Sequence, residues 1–245
     1  MPERQAAEVE PFLAFTRDSK NAYRRGLQEV LGADLLESRP MRDFARRYGQ
    51  SNKPVAKWTH TTGHLVPAES RHERSLILLA DYHPAFTHIA SQPFTIVWPD
   101  GSIYSSHTPD FALLCADRPP LIVDVKTPEE AAKPDFIKLH QEVRGVLAEA
   151  GMKHIVWVGM PRHAIGNLAN FSGARVPRDS MAKWAPVALR LATNPLSAGD
   201  LARLVASEGY AEGHALMMIR RMLWLRLLIT DMGVHFRSSS TVWLP

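Results

Sequence analysis

The chain has 245 residues, 45% of them hydrophobic and 22% charged, with a net charge of +4 from 29 basic and 25 acidic side chains. That is enough for one large domain or two modest ones, and the mild charge permits a polyanion partner without demanding one. Cys115 is the only cysteine, which excludes an intrachain disulfide framework and a cysteine-based zinc site and fits a reducing, cytoplasmic setting.

Residues 1–60 are polar, basic and weakly periodic and read as a basic N-terminal extension. The opening run MPERQAAEVEPF carries no apolar leader. Tyr23 to Leu36 is expected as one helix and Met41 to Tyr48 as a short second one. Arg39, Arg42, Arg46, Arg47, Lys53 and Lys57 crowd a stretch with few acids, either a solvated surface or a phosphate-contacting arm.

Residues 61–165 read as a catalytic domain. A helix is expected over 69–82, where Ser70 and Glu73 have capping-box spacing and Leu76, Ile77 and Ala80 follow on one face. QPFTIVW at 92–98 is strand-like, Pro99-Asp100-Gly101 is a turn, and a short strand is expected near Ile103 and Tyr104. Residues 108–115 and 120–126 are two more strands, whose runs FALLC and LIV suit a sheet covered on both faces. Asp135 to Ala150 reads as a helix, with Phe136, Leu139, Val143, Val146 and Leu147 on one face and Gly151 as its stop. HIVWVGM at 154–160 is a last buried strand. The order helix, strand, strand, strand, helix, strand is that of a restriction-endonuclease-like core, an α/β fold with a mixed sheet flanked by helices.

Residues 166–185 fall in a loop-rich stretch and read as a connector; 186–245 follow as a separate domain. There Ser197 caps a helix through Leu201, Leu204 and Val205, a turn at Glu208 to Gly213 leads to a helix from His214 to Leu228, and VHFRSSSTVWLP suggests a hairpin. Helix, turn, helix and wing describe a winged helix. LMMIRRMLWLRLLI is interrupted by Arg220, Arg221 and Arg226, so no membrane span is expected.

The chemistry lies in Pro109-Asp110 and Asp124-Val125-Lys126, an instance of the pattern PD…(D/E)xK. Asp110 and Asp124 are suitable ligands for Mg2+ (or Mn2+), and the Val125 carbonyl supplies a further oxygen. Lys126 shares a strand face with Asp124, where its ammonium can orient water or offset developing charge. Glu73, on the inward face of its helix, is the third acid expected at the metal; its competing role is to close the cap with Ser70, and Glu69 is then the substitute. Gln92 is either a polar group at the site's edge or a strand cap. His60 and His64 are four apart, but Gly63 argues for a loop, so zinc is not expected.

The run ESRHERSLILLADYHPAFTHIASQPFTIVW, then HTPDFALL and LIVDVKTPEEA, resembles the TnsA-like transposon endonucleases over about residues 38–160. The resemblance implies a magnesium-dependent nuclease that cleaves the 5′ strand at transposon ends in double-stranded DNA. It implies two partners: a DDE-type transposase that handles the 3′ ends and an ATPase regulator. It places Glu73, Asp110, Asp124 and Lys126 in catalytic positions, with the Val125 backbone helping to hold metal. The other expectations for the same core are a standalone restriction-type or repair nuclease, and a non-catalytic DNA-binding or scaffolding subunit.

Overall fold

A computed structural model describes residues 10–41 and 55–245. The chain is mixed α/β, with several sheets and eight α-helices among the described residues, and it divides into two compact units, Met1–Gly159 and Met160–Pro245.

The first unit begins with strands β1 (Phe12–Thr16) and β2 (Ala22–Gly26), a 3-10 turn at Leu27–Glu29, helix α1 (Gly32–Leu36) and the hairpin β3 (Val55–Trp58) and β4 (Leu65–Ala68). Helix α2 (Arg71–Tyr82) leads into β5 (Phe86–Ser91), β6 (Thr95–Val97), β7 (Ser106–His107), β8 (Phe111–Cys115) and β9 (Leu121–Val125). Helices α3 (Pro128–Ala131) and α4 (Pro134–Glu149) then cross to β10 (Lys153–Trp157). The main sheet has the order β10-β9-β8-β5, with β10 parallel to β9 and the other pairs antiparallel. A second sheet, β2-β1-β6-β7, is antiparallel throughout.

Alternation along β8 and β9 divides the core. Ala112, Leu114 and Ile122 pack with Val143, Val146 and Leu147 of α4 and with Leu13, Phe15 and Ile96 of the second sheet. Phe111, Leu113, Val123 and Val125 pack with Leu76, Ile77 and Ala80 of α2 and with Val66 and Ala68 of the hairpin. Both faces of the main sheet are therefore covered, which is why its strands are apolar almost without a break.

Several expectations are corrected. Tyr23 to Leu36 is a strand, a 3-10 turn and a short helix rather than one helix: its first residues pair with β1, Tyr23 opposite Phe15 and Arg25 opposite Leu13. Residues 12–26 are thus built into the first unit and are not an extension. The outer strand of the main sheet is Phe86–Ser91, not 92–98: Gln92 adopts φ +45° and Pro93 follows, so the chain leaves that sheet and Thr95–Val97 joins the other. Ile103 is 94% exposed in a turn, and the short strand lies at Ser106–His107. Of the basic stretch, Arg42, Arg46, Arg47 and Lys53 lie outside the described residues, as does most of the expected helix at 41–48.

The second unit contains α5 (Arg162–Gly173), α6 (Arg178–Leu191), β11 (Leu196–Ser197), α7 (Ala198–Ser207), α8 (Glu212–Trp224), β12 (Ile229–Thr230) and β13 (Thr241–Trp243). Residues 166–185 are largely helical rather than a connector; Pro161 and Pro177 mark helix starts, with φ −54° and −55°. Ser197 caps α7 by accepting a hydrogen bond from the Asp200 N–H at 3.0 Å. Leu201 and Val205 are buried there, but Leu204 is 41% exposed. The sheet order is β11-β13-β12. Asn167 holds the long β12–β13 loop, donating to the Val234 carbonyl at 2.7 Å and accepting from the Phe236 N–H at 2.8 Å. No helix among the described residues is long and apolar enough to cross a membrane.

Candidate functional site

Asp110 stands just before β8, Asp124 near the end of β9 and Lys126 just after it. The register pairs Phe111 with Val123, so the two acids come to the same end of one antiparallel pair. Asp110 accepts the Val125 N–H at 2.7 Å, and Lys126 Nζ lies 3.6 Å from the same Asp110 oxygen. Burial pushes the Asp110 carboxyl above its ordinary range; Lys126 opposes this, and the Asp124 charge adds to it. Lys126 Nζ also sits 5.9 Å from the centre of the Phe136 ring on α4. Asp110, Asp124 and Lys126 thus share one corner.

Asp124 points to the α4 side of the sheet, as Ile122 does, and only 1% of its side chain is exposed. Three histidines surround it. His107 Nε2 on β7 is 3.1 Å from both carboxylate oxygens, and His154 Nε2 on β10 is 2.8 Å from Oδ2. His140 Nδ1 on α4 is 3.4 Å from Oδ2, and its ring stacks on His154 at 5.1 Å. Burial alone would raise the Asp124 pKa, but hydrogen bonds from His107 and His154, with the electrostatic pull of His107 and His140, hold it well below the carboxylate range. Burial lowers His140 to about 4, against the pull of Asp124. At neutral pH its contact with Asp124 therefore involves a neutral imidazole, despite ion-pair geometry.

Glu73 is buried, and its oxygens are already engaged. The Ser70 hydroxyl donates to Oε1 and the Glu69 N–H to Oε2, both at 2.8 Å, while Ser70 Oγ accepts the Glu73 N–H at 3.1 Å. This is the helix-start role weighed against metal binding. Burial raises its pKa, those hydrogen bonds lower it, and the Asp110 charge raises it further, so Glu73 stays within the field of the site. Glu69 Oε1 accepts from Gln92 Nε2 at 2.9 Å, and the Gln92 N–H donates to the Asp110 carbonyl at 2.8 Å. Gln92 therefore ties the α2 entry to the strand that carries Asp110.

Sequence reasoning missed His107, His140 and His154. The available signal was position: His140 stands three residues before Val143 and seven before Leu147, on the apolar stripe of α4, and His107 immediately precedes Thr108-Pro109-Asp110. His60 and His64, the pair weighed for zinc, lie in the connection of the β3–β4 hairpin.

Among the described residues, the side chains close enough together to share a metal ion are His107, Asp124 and His140. No protein-family model matches the chain, and no curated protein matches it.

Proposed function

We propose that this chain is a metal-dependent DNA endonuclease that cleaves the 5′ strand at transposon ends as one subunit of a heteromeric transposase. The observation that carries the reading is the meeting of Asp110, Asp124 and Lys126 at one end of the β8–β9 pair, with Lys126 Nζ 3.6 Å from Asp110 Oδ2. The order α2, β5, β8, β9, α4, β10 supports a restriction-endonuclease-like core. In the second unit, β11, α7, α8 and the β12–β13 pair in one small sheet support a winged helix.

Asp110, Asp124 and the Val125 carbonyl would hold Mg2+, which supplies a polarised phosphate oxygen and an activated water. The Val125 N–H fixes Asp110, and His154 and His107 fix Asp124. Lys126, 30% exposed, presents its ammonium where negative charge develops on the phosphate. Glu73 has both oxygens committed to the start of α2, so the reading rests on the other three.

Nicking of labelled transposon-end DNA in Mg2+, with the transposase and ATPase present, tests this. Asp110→Ala is expected to abolish cleavage in folded protein. Lys126→Ala is expected to slow it by about 100-fold or more, the scale of losing one charge-stabilising group, while metal still binds. Wild-type nicking by Asp110→Ala would turn the reading to a non-catalytic subunit. Efficient cutting by the chain alone would turn it to a standalone nuclease.

A further inference from the structure

Asp124 has more imidazole around it than a carboxylate needs for hydrogen bonding. His107, His140 and His154 come from three separate elements, β7, α4 and β10, and each brings a ring nitrogen within 3.4 Å of the Asp124 carboxylate. His140 Nδ1 and His154 Nε2 both approach Asp124 Oδ2 while lying 3.4 Å from each other. Two N–H groups aimed at one oxygen from such close quarters crowd their hydrogens. A bare lone pair on His140 Nδ1 removes that crowding and is what a metal ion requires.

We infer that His107, Asp124 and His140 bind one divalent transition-metal ion of the imidazole-preferring kind, with Zn2+ and Co2+ as the type ions, and that His154 positions the Asp124 carboxylate for it. Metal–nitrogen and metal–oxygen distances near 2.0–2.2 Å in a tetrahedron place neighbouring ligands about 3.3–3.5 Å apart. His107 Nε2 is 3.1 Å and His140 Nδ1 is 3.4 Å from Asp124 oxygens, and one ligand atom from each of the three residues falls within 4.8 Å of the other two. Two imidazoles and one carboxylate suit zinc-like ions, whereas magnesium takes oxygen alone. His154, 2.8 Å from Oδ2, does for this carboxylate what outer partners do for metal ligands generally. Three protein ligands leave a coordination position open, and the His107 side chain, 13% exposed, keeps a route to solvent. Asp124 is the one residue common to this set and the carboxylate pair of the nuclease proposal, but binding here does not depend on that proposal.

Titration of metal-free, full-length protein with Co2+, followed by its visible ligand-field band, and with Zn2+ by calorimetry tests the site. One ion per chain is expected. His107→Ala and His140→Ala lose the band, with folding checked by circular dichroism, and His154→Gln weakens binding by about 10–100-fold. Asp110→Asn and Lys126→Ala retain it. The inference is overturned if folded wild-type protein binds no ion, or if His107→Ala binds normally while Asp110→Asn does not. Co2+ binding without any nicking in Mg2+ sinks the nuclease reading alone; nicking without Co2+ or Zn2+ binding sinks this site alone.

Discussion

Asp34 shows how much one buried carboxylate holds together. It is 1% exposed and accepts hydrogen bonds from the Tyr23 hydroxyl at 3.0 Å, from Arg25 at 3.1 and 3.3 Å, and from the Leu31 N–H at 2.9 Å. Burial would raise its pKa, but the Leu31, Arg25 and Tyr23 partners outweigh that and lower it. A carboxyl whose pKa is lower folded than unfolded stabilises the fold above the unfolded value, near 4, and the benefit fades as pH falls through the folded value. Asp34→Asn is therefore expected to cost about 2–3 kcal/mol at pH 7, with a gap in denaturant midpoint that narrows steadily below pH 4. Asp110 has the opposite sign, its pKa being raised by burial. Asp110→Asn is expected to melt higher at pH 7, by roughly 2–4 °C for each ~1 kcal/mol gained, and this difference should shrink in acid. At this scale Asp110, Asp124 and Lys126 were legible because their spacing reports strand ends. The histidines were not, since their convergence depends on how β7, α4 and β10 pack.

Among the elements, β10 ends in a tight contact with α2. His72 Nε2 donates to the Lys126 carbonyl at 3.1 Å, and its ring lies 4.8 Å from Trp157. Gly159 adopts φ +112°, and a Cβ there would stand 2.9 Å from His72 Cε1. Gly159→Ala should thus destabilise by about 1–3 kcal/mol through backbone strain and the clash together. In the double variant with His72→Ala the clash goes but the backbone cost stays, so urea melts should show partial, not full, recovery. The long periodic elements α2, α4, β8 and β9 could be read from the sequence within a residue or three. The helices α5 and α6 could not: Pro161 and Pro177 stand at their starts and Gly166 sits within one, residues that favour loops as readily as helix starts.

For the whole molecule, the sharpest revision concerns the first sixty residues. Leu13 and Phe15 are fully buried, and β1 is the inner partner of both β2 and β6. Deleting residues 1–26 is expected to unfold the first unit, seen as loss of its cooperative melting transition; a dispensable extension would leave that transition in place. Its role was hidden because β1 pairs with β6, some eighty residues away, and no local pattern announces a distant strand.

The β9–α4–β10 crossover has a consequence for ancestry. Residues 121–157 alone carry Asp124, Lys126, His140 and His154. Four of the six polar side chains at this corner therefore travel as one contiguous cassette, with His107 and Asp110 supplied from outside it. That cassette is sensitive to length: removing one residue between Gly151 and His154 would slide β10 along β9 and turn the imidazole to the opposite side of the sheet. Descendants of this chain should tolerate substitution there far better than insertion or deletion.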